Sequence, residues 1–272
     1  MNDVINELQD FRHLKWEKVR KSSGTAGSFL KAYDDTGKTK LYYKLSDYDV
    51  VQGIVGHECF NEIIAQRLLR LFEIPHLEYR LCHALITIEH KEMETFLCES
   101  DDFKKTNESK IALEDYYAAE CYEMESPLAF CERMGWLEYI HAMLTVDFLI
   151  LNRDRHGANM EVLFNRGNKT VRLAPLFDHG LSLICRCHNE EDVRNFNVME
   201  DLKVQSFVGT SSAFENIRLV PKEYMLGLRS LKEEDKEDIL SCLTNALAPV
   251  YLDKIWEMIM RRWEYLDDLR NS

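Results

Sequence analysis

Leu149-Ile150-Leu151-Asn152-Arg153-Asp154-Arg155-His156-Gly157-Ala158-Asn159 runs from an apolar helix end into a polar loop. Met160-Glu161-Val162-Leu163-Phe164 and Val171-Arg172-Leu173 follow as two short strands, joined by the turn Asn165-Arg166-Gly167-Asn168. A second turn, Phe177-Asp178-His179-Gly180, closes the stretch. The polar loop thus carries Asp154 and, five residues on, Asn159; the hairpin returns Asp178 to their neighbourhood. A helix C-cap followed by an ordinary hairpin has some of these residues, but not the whole set in this order.

The residue types suit phosphoryl transfer. That reaction needs the charge of a nucleotide neutralised and a hydroxyl oriented for in-line attack. Magnesium takes oxygen ligands, usually one or two carboxylates with phosphates and water. Asn159 and Asp178 supply such oxygens and are the candidate metal ligands. Asp154 is placed to accept or orient the hydroxyl proton, and Asp154 with His156 forms the candidate catalytic pair.

Asn152-Arg153-Asp154-Arg155-His156-Gly157-Ala158-Asn159, followed by Leu173-Ala174-Pro175-Leu176-Phe177-Asp178, resembles the catalytic segment of the HipA-like serine/threonine kinases. Phosphoinositide lipid kinases share the Asp-Arg-His-x-x-Asn part, and eukaryotic protein kinases carry the inverted order His-Arg-Asp. The HipA-like family usually has Gly before the Asn; Leu151 holds that place here. The resemblance is strongest over about 40 residues. It implies an α+β, two-lobe protein-kinase-like fold, with a small β-rich N-lobe and a helical C-lobe. It also implies ATP and Mg2+ as cofactors and a protein serine or threonine as acceptor. A toxin–antitoxin setting, with an antitoxin protein restraining the kinase, is a further implication.

The chain upstream reads as the N-lobe, residues 1–98. Ile5, Leu8, Phe11 and Leu14, three apart, predict a short amphipathic helix over 4–16. Lys18 to Tyr33 reads as strand, Gly/Ser-rich loop, strand. Ser23, Gly24, Thr25 and Gly27 of that loop are candidates to cover nucleotide phosphates with backbone N–H groups. A flexible hairpin has the same composition; the position ahead of a Lys-bearing strand favours phosphate binding. Ser22, Ser23, Thr25 and Ser28 in the same loop are also candidates for self-phosphorylation, or simply small turn formers.

Lys44 ends an alternating strand, Thr39 to Leu45, and can pair with phosphates and a helix carboxylate. Lys40 and Lys31 are the alternatives should the register differ. Glu58 and Glu62 share one edge of the helical run His57 to Phe72. Periodicity leaves both open; the resemblance favours Glu62. Strands over His76–Ile88 and Glu92–Cys98 follow. Glu99-Ser100-Asp101-Asp102-Phe103 then breaks the apolar pattern and reads as the hinge, with Glu99 and Asp102 as nucleotide-binding candidates.

Residues 104–272 read as the helical C-lobe. Helices are expected over Asn107–Glu125, Pro127–Met134, Trp136–Leu149, Lys232–Leu247 and Pro249–Leu269. Asn189 to Gly209 has no clear pattern, and Gly209-Thr210-Ser211-Ser212 reads as a connector that could touch substrate.

Composition sets outer limits. The chain has 272 residues, 46% hydrophobic and 30% charged, which is globular. The formal charge of −13 argues against a broad nucleic-acid or anionic-membrane surface. It weighs mildly against an inositide kinase. A lipid or small-molecule kinase and an inactive nucleotide-binding module remain as alternatives; the latter should lack an Asp or Asn of the site, and none is missing. The first residues resemble no signal peptide, which with eight scattered cysteines points to a cytoplasmic protein. Cys185-Arg186-Cys187-His188 has one residue between cysteines where zinc sites favour two to four, so an ordinary loop is expected.

Overall fold

The computed structural model describes residues 3–17 and 29–272. Strand β1 (Val4–Asp10) opens the chain, followed by β2 (Lys31–Asp34) and β3 (Leu41–Leu45). A small hairpin, β4 (Tyr48–Asp49) and β5 (Gly53–Ile54), leads into helix α1 (Glu58–Leu71). Strands β6 (Tyr79–Ile88) and β7 (Lys91–Asp101) form a long hairpin. Its turn residues Glu89 and His90 both have positive φ, the backbone that a two-residue antiparallel turn requires. The sheet order is β1-β6-β7-β3-β2, antiparallel except for the pairing of β1 with β6.

The helix expected over 4–16 is therefore a strand. Val4 and Ile5 pair with Leu81 and Cys82, while Phe11 and Leu14 lie beyond the strand and pack on the outer face of the sheet. The spacing of three arises because half of the apolar set belongs to a turn, and pairing with β6 overrides local preference.

Beyond β7 come β8 (Glu108–Ala112), α2 (Leu113–Glu120), α3 (Pro127–Arg133) and α4 (Leu137–Leu149). The helix expected over 107–125 is in fact strand then helix: β8 pairs with a later strand, and buried Glu108 meets Arg172 at 2.8 Å. Helix α3 starts where Ser126 Oγ accepts from Ala129 N ahead of Pro127. Next are β9 (Asp154–Arg155), a 3-10 turn over Gly157–Asn159, β10 (Glu161–Asn165) and β11 (Thr170–Leu173). The patternless stretch after residue 188 holds α5 (Glu190–Asn195) and β12 (Gln205–Ser206). Helices α6 (Ala213–Ile217), α7 (Lys222–Gly227), α8 (Asp235–Leu240) and α9 (Pro249–Asn271) complete the chain. Helix α8 is thus much shorter than the run expected over 232–247.

Two cores hold these elements. The smaller lies on the outer sheet face, where Tyr43, Leu45, Ile86 and Leu97 pack under Phe11 and Leu14. The larger runs from the inner sheet face through α1 to α4 and α9, including Ile63, Leu68, Leu144, Phe148 and Ile259. Arg67 of α1 binds Asp3 through two nitrogens, at 2.9 and 2.7 Å, and also the carbonyls of Ile239 and Ser241. Asp3→Ala leaves that buried guanidinium without its carboxylate. We expect it to lower stability by about 3 kcal/mol, measured as a shift in the urea unfolding midpoint.

Candidate active site

Helix α4 ends by turning its chain sharply. Leu151 has φ +49°, the left-handed region that favours glycine. Asn152 Nδ2 donates to Asp147 Oδ1 at 2.9 Å, and the Asn152 N–H to the Asp147 carbonyl, so the last helical turn is tied to the loop. Arg155 is fully buried and forks onto Asp147 at 2.8 and 3.0 Å. Its third nitrogen donates to the Phe177 carbonyl at 2.8 Å, beside Asp178. Arg155 thus fastens the Asp154 loop to the Asp178 turn. Burial opposes its charge, but Asp147 more than restores it, and the guanidinium pKa lies above its ordinary value.

Asn159 Nδ2 donates to the Asp154 carbonyl at 2.7 Å and to Asp154 Oδ2 at 2.9 Å. His156 Nδ1 accepts from Ala158 N at 3.1 Å. The neutral ring therefore carries its proton on Nε2, which lies 3.4 Å from Asp154 Oδ1. Two side chains thus hold the Asp154 carboxylate from opposite sides.

The lysine end is equally ordered. Lys44 Nζ lies 2.9 Å from Glu62 Oε1 and 2.6 Å from Asp178 Oδ1. Of the two carboxylates periodicity left open, Glu62 meets Lys44, while Glu58 accepts from Asp47 N. Glu62 also accepts from the N–H groups of His179 at 2.8 Å and Gly180 at 3.1 Å. Asn61 Nδ2 donates to the carbonyls of Gly180 and Ser182. Burial raises the Glu62 pKa, but Lys44 and its other donors overcome that and hold it below its ordinary 4.5. Burial likewise works against the Lys44 charge; Asp178 and Glu62 prevail, and its pKa lies well above 10.5. Asp178 itself has φ +59°, which aims its carboxylate at Lys44 across the turn.

Lys44, Asn159 and Asp178 line a cleft of about 570 Å³ between the sheet and the helical part. Part of its lining is apolar: Phe103 stacks on Phe177 with ring centres 5.5 Å apart, and Leu77 and Ile111 also line the cleft. Asn159 and Asp178 are hard oxygen donors on one side of this cleft, a set that suits magnesium. Lys31 also borders it, and Lys40 lies over the Tyr33 ring at 3.9 Å. Asp102 lines the cleft and accepts from Lys104 N.

Glu99 does not line it. Residues 99–101 continue strand β7, and alternation sends the Glu99 side chain to the face opposite Cys98 and Ser100. There its carboxylate meets Arg80 Nε at 2.5 Å. Ser23, Gly24, Thr25 and Gly27, with the neighbouring serines, lie outside the described residues. Cys185 accepts from Arg153 at 2.8 Å, and among the described residues no group of three or more His, Cys, Asp or Glu is poised for a metal.

No protein-family model matches the sequence, and no curated protein matches it. The solved structure of the Helicobacter pylori proinflammatory kinase CtkA superposes with a TM-score of 0.58, at 13% identity over 97% of each chain. The chain has a kinase fold. Shewanella oneidensis HipA, solved with HipB and operator DNA, gives a TM-score of 0.41 at 13% identity, covering 94% of this chain and 68% of that one.

Within this kinase fold, sequence reasoning left several positioning residues without a role. Asp147 stands polar among the apolar residues that end α4, a signal that a partner elsewhere is required, and Asn61 is a fully buried polar residue of α1. Arg155 stood inside the quoted motif without an assigned task. Gly157 is fixed by space: a Cβ there would come within 2.7 Å of Glu114 Cβ and 2.8 Å of the Phe207 ring. Gly157→Ala must push the Asp154–Asn159 loop off α2. We expect it to lower the melting temperature, at a cost of about 1–3 kcal/mol, as measured by calorimetry.

Proposed function

We propose that the protein is an ATP-dependent kinase that uses magnesium and transfers the γ-phosphoryl group to a serine or threonine of another protein. The observation that carries this reading is Lys44 Nζ held between Glu62 and Asp178 in the lining of a nucleotide-sized cleft, with Asp154 tied to Asn159 of the same lining. Lys44 orients the nucleotide phosphates, and Glu62 holds Lys44 in place. Asn159 and Asp178 would hold magnesium, which when bound neutralises charge on the phosphates. Asp154 takes the proton of the attacking hydroxyl, and His156 and Asn159 keep its carboxylate facing the acceptor. Phe103, Phe177 and Leu77 supply the apolar surface for a base.

A protein acceptor, and a partner protein that restrains the enzyme as an antitoxin, are supported by the likeness of Asn152–Asn159 and Leu173–Asp178 to HipA-like kinases. The charge of −13 favours a polypeptide over an anionic lipid head group. Among the described residues no helix is long and apolar enough to cross a membrane. Incubation with labelled ATP and magnesium, alone and with a host lysate, tests the reading. Acid-stable label on protein serine or threonine is the expected result. A purified enzyme that consumes no ATP and labels nothing would overturn it.

A further inference from the structure

The catalytic loop is a partition with two faces. Ala158 and Asn159 face the nucleotide cleft. His156 and Gly157 face a second, open groove of about 460 Å³ on the other side. We propose that this groove seats the acceptor polypeptide and selects a Lys or Arg beside the hydroxyl-bearing residue, with Glu114 reading that charge. The proposal rests on the kinase reading above and names its substrate class.

Placement comes first. His156 lines the groove while its Nε2 lies 3.4 Å from Asp154. A hydroxyl held where the groove meets His156 therefore lies beside the carboxylate proposed to take its proton. Strand β12 forms one wall. Gln205 N and Phe207 N donate to the carbonyls of Arg153 and Arg155, which locks this wall to the strand that carries Asp154. Val204 N donates to the Ser211 carbonyl, so the loop through Gly209 and Thr210 curls back as a rim.

Charge comes second. The groove lining contains Glu114 and no Lys or Arg. Two further carboxylates brace the rim: Glu215 accepts from Thr210 Oγ1 at 2.7 Å, and Asp201 accepts from Ser212 Oγ at 2.5 Å. With Asp154 behind His156, the groove presents negative charge from several sides. An acidic acceptor segment would be repelled there, and a cationic side chain near the acceptor would be drawn in. Glu114 is the carboxylate of the groove lining, and its Cβ packs against the Gly157 backbone.

The test uses the full chain, magnesium and labelled ATP. The probes are synthetic peptides with one Ser or Thr and either Lys or Glu fixed at each flanking position in turn. At one or more positions, the Lys peptide should exceed its Glu twin at least tenfold in kcat/KM, chiefly through KM. Glu114→Gln keeps the shape of the side chain and should bring that ratio towards one. Glu114→Lys should reverse it. A wild-type ratio near one, a ratio unmoved by Glu114→Gln, or ATP turnover with no peptide labelled would each overturn the groove proposal alone. A wild-type chain that labels neither peptides nor itself and hydrolyses no ATP overturns the kinase reading, and this proposal with it.

Discussion

Asp154→Asn should lower phosphoryl transfer by a factor of about 10²–10⁴, the usual contribution of a positioned general base. The substitution keeps the size and planarity of the side chain. Asn159 retains its 2.7 Å bond to the backbone carbonyl of residue 154, and the new amide can turn its oxygen to the same Asn159 nitrogen that Oδ2 now meets. Arg155 still holds the loop to Asp147 and the Phe177 carbonyl. The fold should therefore persist. Asp154 is absent from the lining of the nucleotide cleft, so nucleotide affinity should change little. Single-turnover label transfer and binding of a fluorescent ATP analogue separate these effects. Transfer within tenfold of wild type would show that another group takes the proton.

Lys44→Met should weaken nucleotide binding and cut turnover together, because the lysine is proposed to touch phosphates in both ground and transition states. It should also destabilise the empty protein. Glu62 is fully buried and would lose the cation 2.9 Å away, keeping the N–H groups of His179 and Gly180 and the His179 ring, whose Nδ1 lies 3.7 Å from Oε2. Removing one partner of a buried pair costs about 3–5 kcal/mol, and the surviving donors place this case near the lower figure.

The pH dependence follows from the direction of the shift. In the wild type, the Glu62 pKa is depressed below 4.5, so its contribution is present above about that pH and is lost as pH falls through the depressed value. In the variant the main depressing charge is gone and burial raises the pKa. The buried carboxylate is then a burden at neutral pH that protonation relieves. The stability gap between the two proteins should narrow as pH drops from 7 towards 4.5, measured by urea unfolding at several pH values. A gap that stays constant or widens would mean that Glu62 is not charged beside Lys44.

Local sequence carried the parts of the site that lie on one continuous segment. Asp154, Asn159 and Asp178 are joined by a loop and a tight hairpin, so spacing was enough to bring them together. Lys44 and Glu62 needed more: the strand and helix were legible, but two carboxylates shared the helix edge. The deciding contacts come from His179 and Gly180, well over a hundred residues downstream. Glu99 shows the limit of reading polarity as a break. It stands in strand β7 as the polar member of an alternating pair, and its partner Arg80 lies on the neighbouring strand. β1 and β8 were lost to helices for a related reason. Both are short and mostly polar on their exposed side, and each owes its extended form to a distant strand.

The bond from Arg67 to the carbonyls of Ile239 and Ser241 has a mechanical meaning. Glu62 and Arg67 stand five residues apart on one helix, about 7.5 Å along its axis. Twelve of the fourteen residues of α1 are buried, so the helix shifts as a rod or hardly at all. Glu62 ties that rod to Lys44 and the Asp178 turn; Arg67 ties it to the carbonyls at the end of α8. A ligand that pressed on α8 and favoured one setting of α1 would be felt at the lysine without entering the cleft.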